Sequence, residues 1–319
     1  MNIQAVIDST ERQISGHQEA VEVLSQLPDD HVRLSHWQIW ADQLFADQPW
    51  QASLNQAMTI AYARMAVRNG SLSEHPRSYH NEYHINDLLL RIMYCQESSA
   101  QPMAAQQLAL LSLFAACHDL RQAEMRKPDS DDSLVGANEM ASFEEADRIL
   151  KALGDDHLWS AHHQLLLKTM IEGSTFGSGG KRSKNFFQGN LAHHLLNQLD
   201  LPAEDAQLVL LACDIDTANV SLPIDEFADS AIDIFDELLS HQNAEISAHD
   251  FFSEQQQTYF FKLQAFHAEL SLQLFQPHKN SNQDSLLALS DHIRKLPAAW
   301  SAKDIKAAFK SKAVELGAL

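Results

Sequence analysis

The segment Tyr79-His80-Asn81-Glu82-Tyr83-His84 carries two histidines four residues apart. On an α-helix that spacing puts both side chains on one face, roughly 40° apart, so the two imidazoles can converge on one site. Neutral imidazole is a ligand for divalent ions and protonated imidazole is a proton donor. Further along, His118-Asp119 closes the apolar run 104–118, and Asp214 and Asp216 close a second one. A carboxylate next to an imidazole at a helix C-terminus meets a cation in two ways, by direct ligation and through the negative end of the helix dipole. If the end of the second run is buried, Asp214 or Asp216 must be paired or ligated there.

Several other chemistries fail on spacing. A His-Glu-x-x-His metalloprotease needs its glutamate beside the first ligand, whereas Glu82 falls about 200° round a helix from His80. A nucleobase deaminase built on His80-x-Glu82 also needs a downstream Pro-Cys-x-x-Cys, and Cys95, Cys117 and Cys213 form no Cys-x-x-Cys. Gly180-Lys181 does not belong to a phosphate-cradling P-loop, because Arg182 stands where Ser or Thr is required and no glycine stands five residues before it.

Taken together, Tyr79-His80-Asn81-x-x-His84, then Phe114-x-x-x-His118-Asp119, then Asp214 resembles the HD superfamily of metal-dependent phosphohydrolases, and the opening segment is similar to that of cyclic-nucleotide phosphodiesterases. The resemblance spans roughly residues 55–275 and extends to Asn138-Glu139 and to Ile171–Phe176. It implies that His84, His118, Asp119 and Asp214 ligate a divalent ion, Mn, Fe, Mg or Zn, at one or two per chain. Ile215 after Asp214 fits the family pattern better than Asp216 as ligand. His80 is then the proton donor to the leaving oxygen, and Glu139 an acid that orients water or His80, with an ordinary helix N-terminal acid as its rival reading. Gln257-x-x-Phe260 is similar to the glutamine and aromatic clamp of the phosphodiesterases, against the plainer reading of an aromatic helix stripe. His162-His163 and His193-His194 fall where two-metal members carry extra histidines.

These residues need helices to hold them. Amphipathic or apolar helical patterns cover 51–68, 83–94, 104–118, 138–153 with Gly154 as cap, 156–171, 190–199, 203–215, 226–240 and 254–275. No β-branched alternating run is present, so the fold class expected is all-α; the resemblance implies an HD-type helical bundle with extra N- and C-terminal helices. The parts expected are an N-terminal helical extension over 1–50 packed on the core, a catalytic domain over 51–275, and a polar linker with a helical tail over 276–319. Five of the ten glycines lie between Gly173 and Gly189, beside Lys181, Arg182 and Lys184, and read as a basic surface loop.

Composition narrows the partners. With 319 residues and 45% hydrophobic content the chain can bury a substantial core. A formal charge of -20 repels nucleic acid and anionic lipid. Neither is expected as a partner; a small phosphoester, most simply a nucleotide, is the expected substrate, and a homodimer is compatible with the sequence. The three scattered cysteines read as reduced core residues, and no apolar run is long enough to span a bilayer, so a cytoplasmic location is expected. Two alternatives stand beside the hydrolase: a di-iron oxygenase of the HD type, if the paired histidines complete a second metal site, and a nucleotide-binding regulatory module without turnover.

Overall fold

The computed structural model describes residues 6–28, 34–124, 134–176, 189–241, 246–297 and 299–318. Among them the chain is all-α, and the sole extended pairing is a single antiparallel bridge between Phe176 and Asn190. Two compact units form, one from Met1–Pro76 and His80–Ile215, the other from Arg77–Tyr79 and Asp216–Leu319.

The first unit contains α1 (Ser9–Gln13), α2 (His17–Leu24), α3 (Ser35–Leu44), α4 (Gln51–Arg68), α5 (Glu82–Ser98), α6 (Ala105–Cys117), α7 (Ala137–Leu153), α8 (Ala161–Gly173), α9 (Ala192–Leu196) and α10 (Ala203–Asp216), in whose last turn the chain leaves the unit. At its centre α6 is buried on every side from Leu108 to Cys117, as its all-round apolar sequence requires. Helices α4, α5, α7 and α8 pack around it. Helix α4 is sheathed almost as completely, because Ala57, Ala61, Ala63 and Ala66 let neighbouring backbones approach. The N-terminal helices α1 and α2 lie against α4, and Trp37 of α3 donates from Nε1 to Ser112 Oγ inside α6 at 3.0 Å. Gly154 ends α7 in the left-handed conformation, φ 66°, which its sequence position led us to expect.

A buried charge network ties α1, α4 and α7 together. Glu145, fully buried, accepts from Arg64 Nη1 at 3.0 Å, from Arg68 Nη2 at 3.1 Å and from Arg121 Nη1 at 3.4 Å. Glu11 takes Arg148 and Arg121, and Asp8 takes Arg68. Buried charges persist in a fold only when paired in this way. Although burial opposes it, the Arg68 guanidinium, together with Arg121, holds the Asp8 carboxyl below its ordinary value.

The second unit contains α11 (Ile224–His241), α12 (Ala248–Asp250), α13 (Gln256–Thr258), α14 (Glu269–Leu274), α15 (Gln276–Ser281), α16 (Gln283–Arg294) and α17 (Ala302–Gly317). Ser301 caps α17 by accepting from Asp304 N, and α17 packs on α11 and α16 with Lys306 paired to Asp236. The pattern over 254–275 predicts one continuous helix, but the structure breaks it. Phe251–Gln255 and Tyr259–Leu263 are wide π-turns, and Gln264 is extended before α14 begins. The break is held by Lys279, whose Nζ donates to both the backbone oxygen and Oε1 of Gln264 at 2.6 Å. The polar stretch 276–285, read from sequence as a linker, is helical. Two of its polar side chains turn inward while most of the rest stay exposed: Lys279 is buried, and Asn282 Nδ2 donates to Val220 O and Leu222 O at 3.0 and 2.7 Å.

Among the described residues no helix is long and apolar enough to cross a membrane. Cys95, Cys117 and Cys213 are buried and form no disulfide. Burial pushes the Cys95 and Cys117 thiols up to about 12, with the nearby charges of Asp214 and Glu145 respectively adding to the effect.

Candidate metal centre

The site starts at the junction of α4 and α5. Asn81 is the N-cap of α5, in extended conformation, and its side chain accepts from Tyr83 N at 2.9 Å. His80 therefore lies before the helix. His80 and His84 do not share the helix face that their spacing predicts; the cap bend brings the rings together instead, centroids 5.9 Å apart. Glu82, the first helical residue, is fully buried and turned back, accepting Ser71 N at 2.9 Å, and it occupies the space a side chain at Gly70 would need. Arg77 and Tyr79, just before His80, belong to the second unit, where Glu237 accepts Arg77 Nη1 and Tyr79 N, both at 3.0 Å.

His118 is the C-cap of α6 and its ring stacks on Phe114 with centroids 4.8 Å apart. Asp119 follows in a turn whose backbone α4 grips from outside. Asn69 Nδ2 donates to Asp119 O at 3.4 Å and Arg68 Nη1 to Leu120 O at 2.7 Å, satisfying carbonyls that a helix end leaves without intrahelical donors. Arg121 N donates to Ser142 Oγ of α7 at 3.0 Å. With its backbone fixed, Asp119 aims Oδ2 inward, 2.9 Å from His118 Nε2, 3.7 Å from His84 Nε2 and 4.0 Å from His80 Nε2. Its other oxygen, Oδ1, accepts from Gln122 Nε2 at 2.6 Å.

One ligand atom each from His84, His118 and Asp119 lies within 4.8 Å of the others. The donors fit a divalent transition ion: two nitrogens and a carboxylate oxygen, from side chains largely shut off from solvent. The group can hold a metal ion. Comparison with protein families, curated proteins and solved structures finds no match.

The other residues singled out by sequence divide as follows. Asp214 is fully buried on α10, near enough to Cys95 for its charge to raise that thiol, but it is not one of the three clustered ligands. Its helix end is tied to α5, since Arg91 Nη1 donates to Ile215 O at 2.8 Å. Asp216 is half-buried at the end of α10. Glu139 lies in the first turn of α7 with its carboxylate folded over Gly136, in the space a Cβ would take, where the helix dipole favours it. Asn138 Oδ1 accepts from Glu124 N at 3.0 Å.

Among the described residues the paired histidines form no second ligand cluster. His162 faces Asp205 at 3.3 Å, His163 Nδ1 contacts Leu158 O at 2.9 Å, and His194 contacts Gln198 at 2.8 Å. Burial lowers the His193 imidazole below its ordinary value. Phe260 is fully buried, edge-on to Phe227, and so belongs to the core of the second unit. The basic segment with Lys181, Arg182 and Lys184 lies outside the described residues.

Sequence reasoning missed Arg68 and Gln122, and read Asn69 only as a helix stop. The signal for the first was Arg64 and Arg68, four apart in an otherwise buried helix. Gln122 had none beyond its nearness to Asp119.

Proposed function

We propose that the protein is a metal-dependent phosphohydrolase that cleaves a small phosphoester, with a nucleotide as the favoured substrate. The observation that supports this reading best is the approach of one carboxylate oxygen, Asp119 Oδ2, to His118 at 2.9 Å and His84 at 3.7 Å within a nearly closed cluster. His84, His118 and Asp119 would hold the ion, with Asp214 proposed as a fourth ligand. When bound, a divalent ion acidifies water and neutralises phosphoryl oxygens.

The chain's own groups carry the rest. His80 Nε2 stands 4.0 Å from Asp119 Oδ2, and its side chain is 32% exposed, so it has access both to the cluster and to arriving substrate. From there a protonated His80 delivers its proton to the leaving oxygen as the phosphorus–oxygen bond breaks and water oxygen bonds to phosphorus. Asp119 Oδ2 lies beside the imidazoles of His84 and His118, where the three side chains would share one ion. Glu139, whose carboxylate lies over Gly136 at the start of α7, is proposed as the acid that orients water or His80, with an ordinary helix N-terminal acid as the rival reading.

The test is hydrolysis of a panel of nucleotides by protein loaded in turn with Mn, Fe, Mg and Zn, read as phosphate release from mono- and diphosphates and as release of the ring-opened monophosphate from cyclic ones. Release by the wild-type chain that disappears in His118→Ala and Asp119→Ala supports the proposal. Equal release by those variants overturns it.

A further inference from the structure

The two oxygens of Asp119 are divided between two tasks. Oδ2 faces the three imidazoles, while Oδ1 accepts from Gln122 Nε2 at 2.6 Å, a short contact for an amide donor. The amide is delivered from a fixed backbone. Leu120 O is held by Arg68 and Arg121 N by Ser142, so both residues between Asp119 and Gln122 are anchored.

A carboxylate with one oxygen engaged by a donor presents chiefly the other to a cation. Single-oxygen ligation suits small ions with short, strict coordination, such as Mg and Zn, whereas large ions such as Ca take more oxygens and bind carboxylates through one oxygen or through both. From this division we infer that Gln122 is a positioning residue that keeps Asp119 a one-oxygen ligand and so selects for small divalent ions. The inference rests on the metal centre proposed above and adds which ions it prefers.

The selectivity separates this role from a merely structural one. A residue that only supports the turn would, when lost, weaken every ion alike. Gln122→Met removes the donor and keeps the length; Gln122→Glu keeps the shape and replaces the donor with an acceptor. The experiment is equilibrium binding of Mg, Zn and Ca ions to the full-length wild-type chain and both variants, with no substrate present. The expected result is a loss of Mg and Zn affinity on the order of 10- to 100-fold in both variants, with Ca affinity held or improved. An equal change for all three ions, or none, overturns the inference while leaving the metal centre in place. Failure of the wild-type chain to bind any of them overturns the metal centre and the inference together.

Discussion

Asn81 Oδ1 accepts from the backbone nitrogen of Tyr83 at 2.9 Å, and that one bond decides where α5 begins. It leaves His80 outside the helix and His84 inside, so the two imidazoles meet across a bend. Asn81→Ala is expected to cost about 1 kcal/mol of stability, the usual penalty for a lost N-cap. The same change should reduce phosphate release more than ion affinity, since it frees His80 and leaves His84 in the helix. Urea unfolding alongside ion titration checks both, and unchanged stability would contradict the cap.

Gly70 is required for space. Its φ is not positive, but a Cβ there would fall 1.5 Å from Glu82 Oε2. Gly70→Ala must drive the fully buried Glu82 carboxylate away from Ser71 N, and should destabilise the fold by roughly 1–3 kcal/mol. In a Glu82→Ala background the same glycine change should cost much less. Additive costs in the double-variant cycle would show that the two residues do not compete for one space.

Glu145 sits fully buried among Arg64, Arg68 and Arg121. Removing one member of a buried charge set leaves the others uncompensated, so Glu145→Gln should cost about 3–5 kcal/mol. Denaturant unfolding measures this, and a loss below about 1 kcal/mol would mean that the arginines find other partners.

Lys279 gives the second unit a pH signature. Its ammonium is held by Gln264, lies 5.1 Å from the centre of the Phe260 ring and has no carboxylate partner among the described residues. Burial lowers it from 10.5 to about 8. Below pH 8 both folded and unfolded chains hold the proton and the cost of burying the charge is fully present. Between about 8 and 10.5 the folded chain releases the proton first, so the unfolded state binds more protons and this residue's contribution to stability rises with pH. Melting temperatures across that window should climb less in Lys279→Met than in the wild-type chain. Identical slopes would contradict the assignment.

Helices whose apolar pattern is continuous were legible from sequence. Gln51–Arg68 matches its pattern residue for residue, and the apolar run ending at His118 fills the middle of the first unit. What sequence could not supply were effects that depend on distant partners. The break at Gln264 is held by a lysine fifteen residues on, and the helical character of 276–281 is hidden because the stretch is polar and mostly exposed, with Lys279 alone satisfied inside the protein. At the site, the types and spacing of His84, His118 and Asp119 sufficed to bring them to notice, since metal ligands are chemically distinctive. Of the groups that hold the turn around Asp119, Arg68 left a trace in its spacing from Arg64, while Asn69 and Gln122 act through carbonyl and amide contacts that leave no mark in a residue pattern.

His84, His118 and Asp119 are proposed to bind one cation between them. Elemental analysis after dialysis against divalent ions tests it without any assumption about substrate. About one ion per wild-type chain is expected, falling to background in His84→Ala, His118→Ala and Asp119→Ala while each variant retains its helical circular dichroism. No bound ion in the wild-type chain, or an ion retained by all three variants, would contradict it.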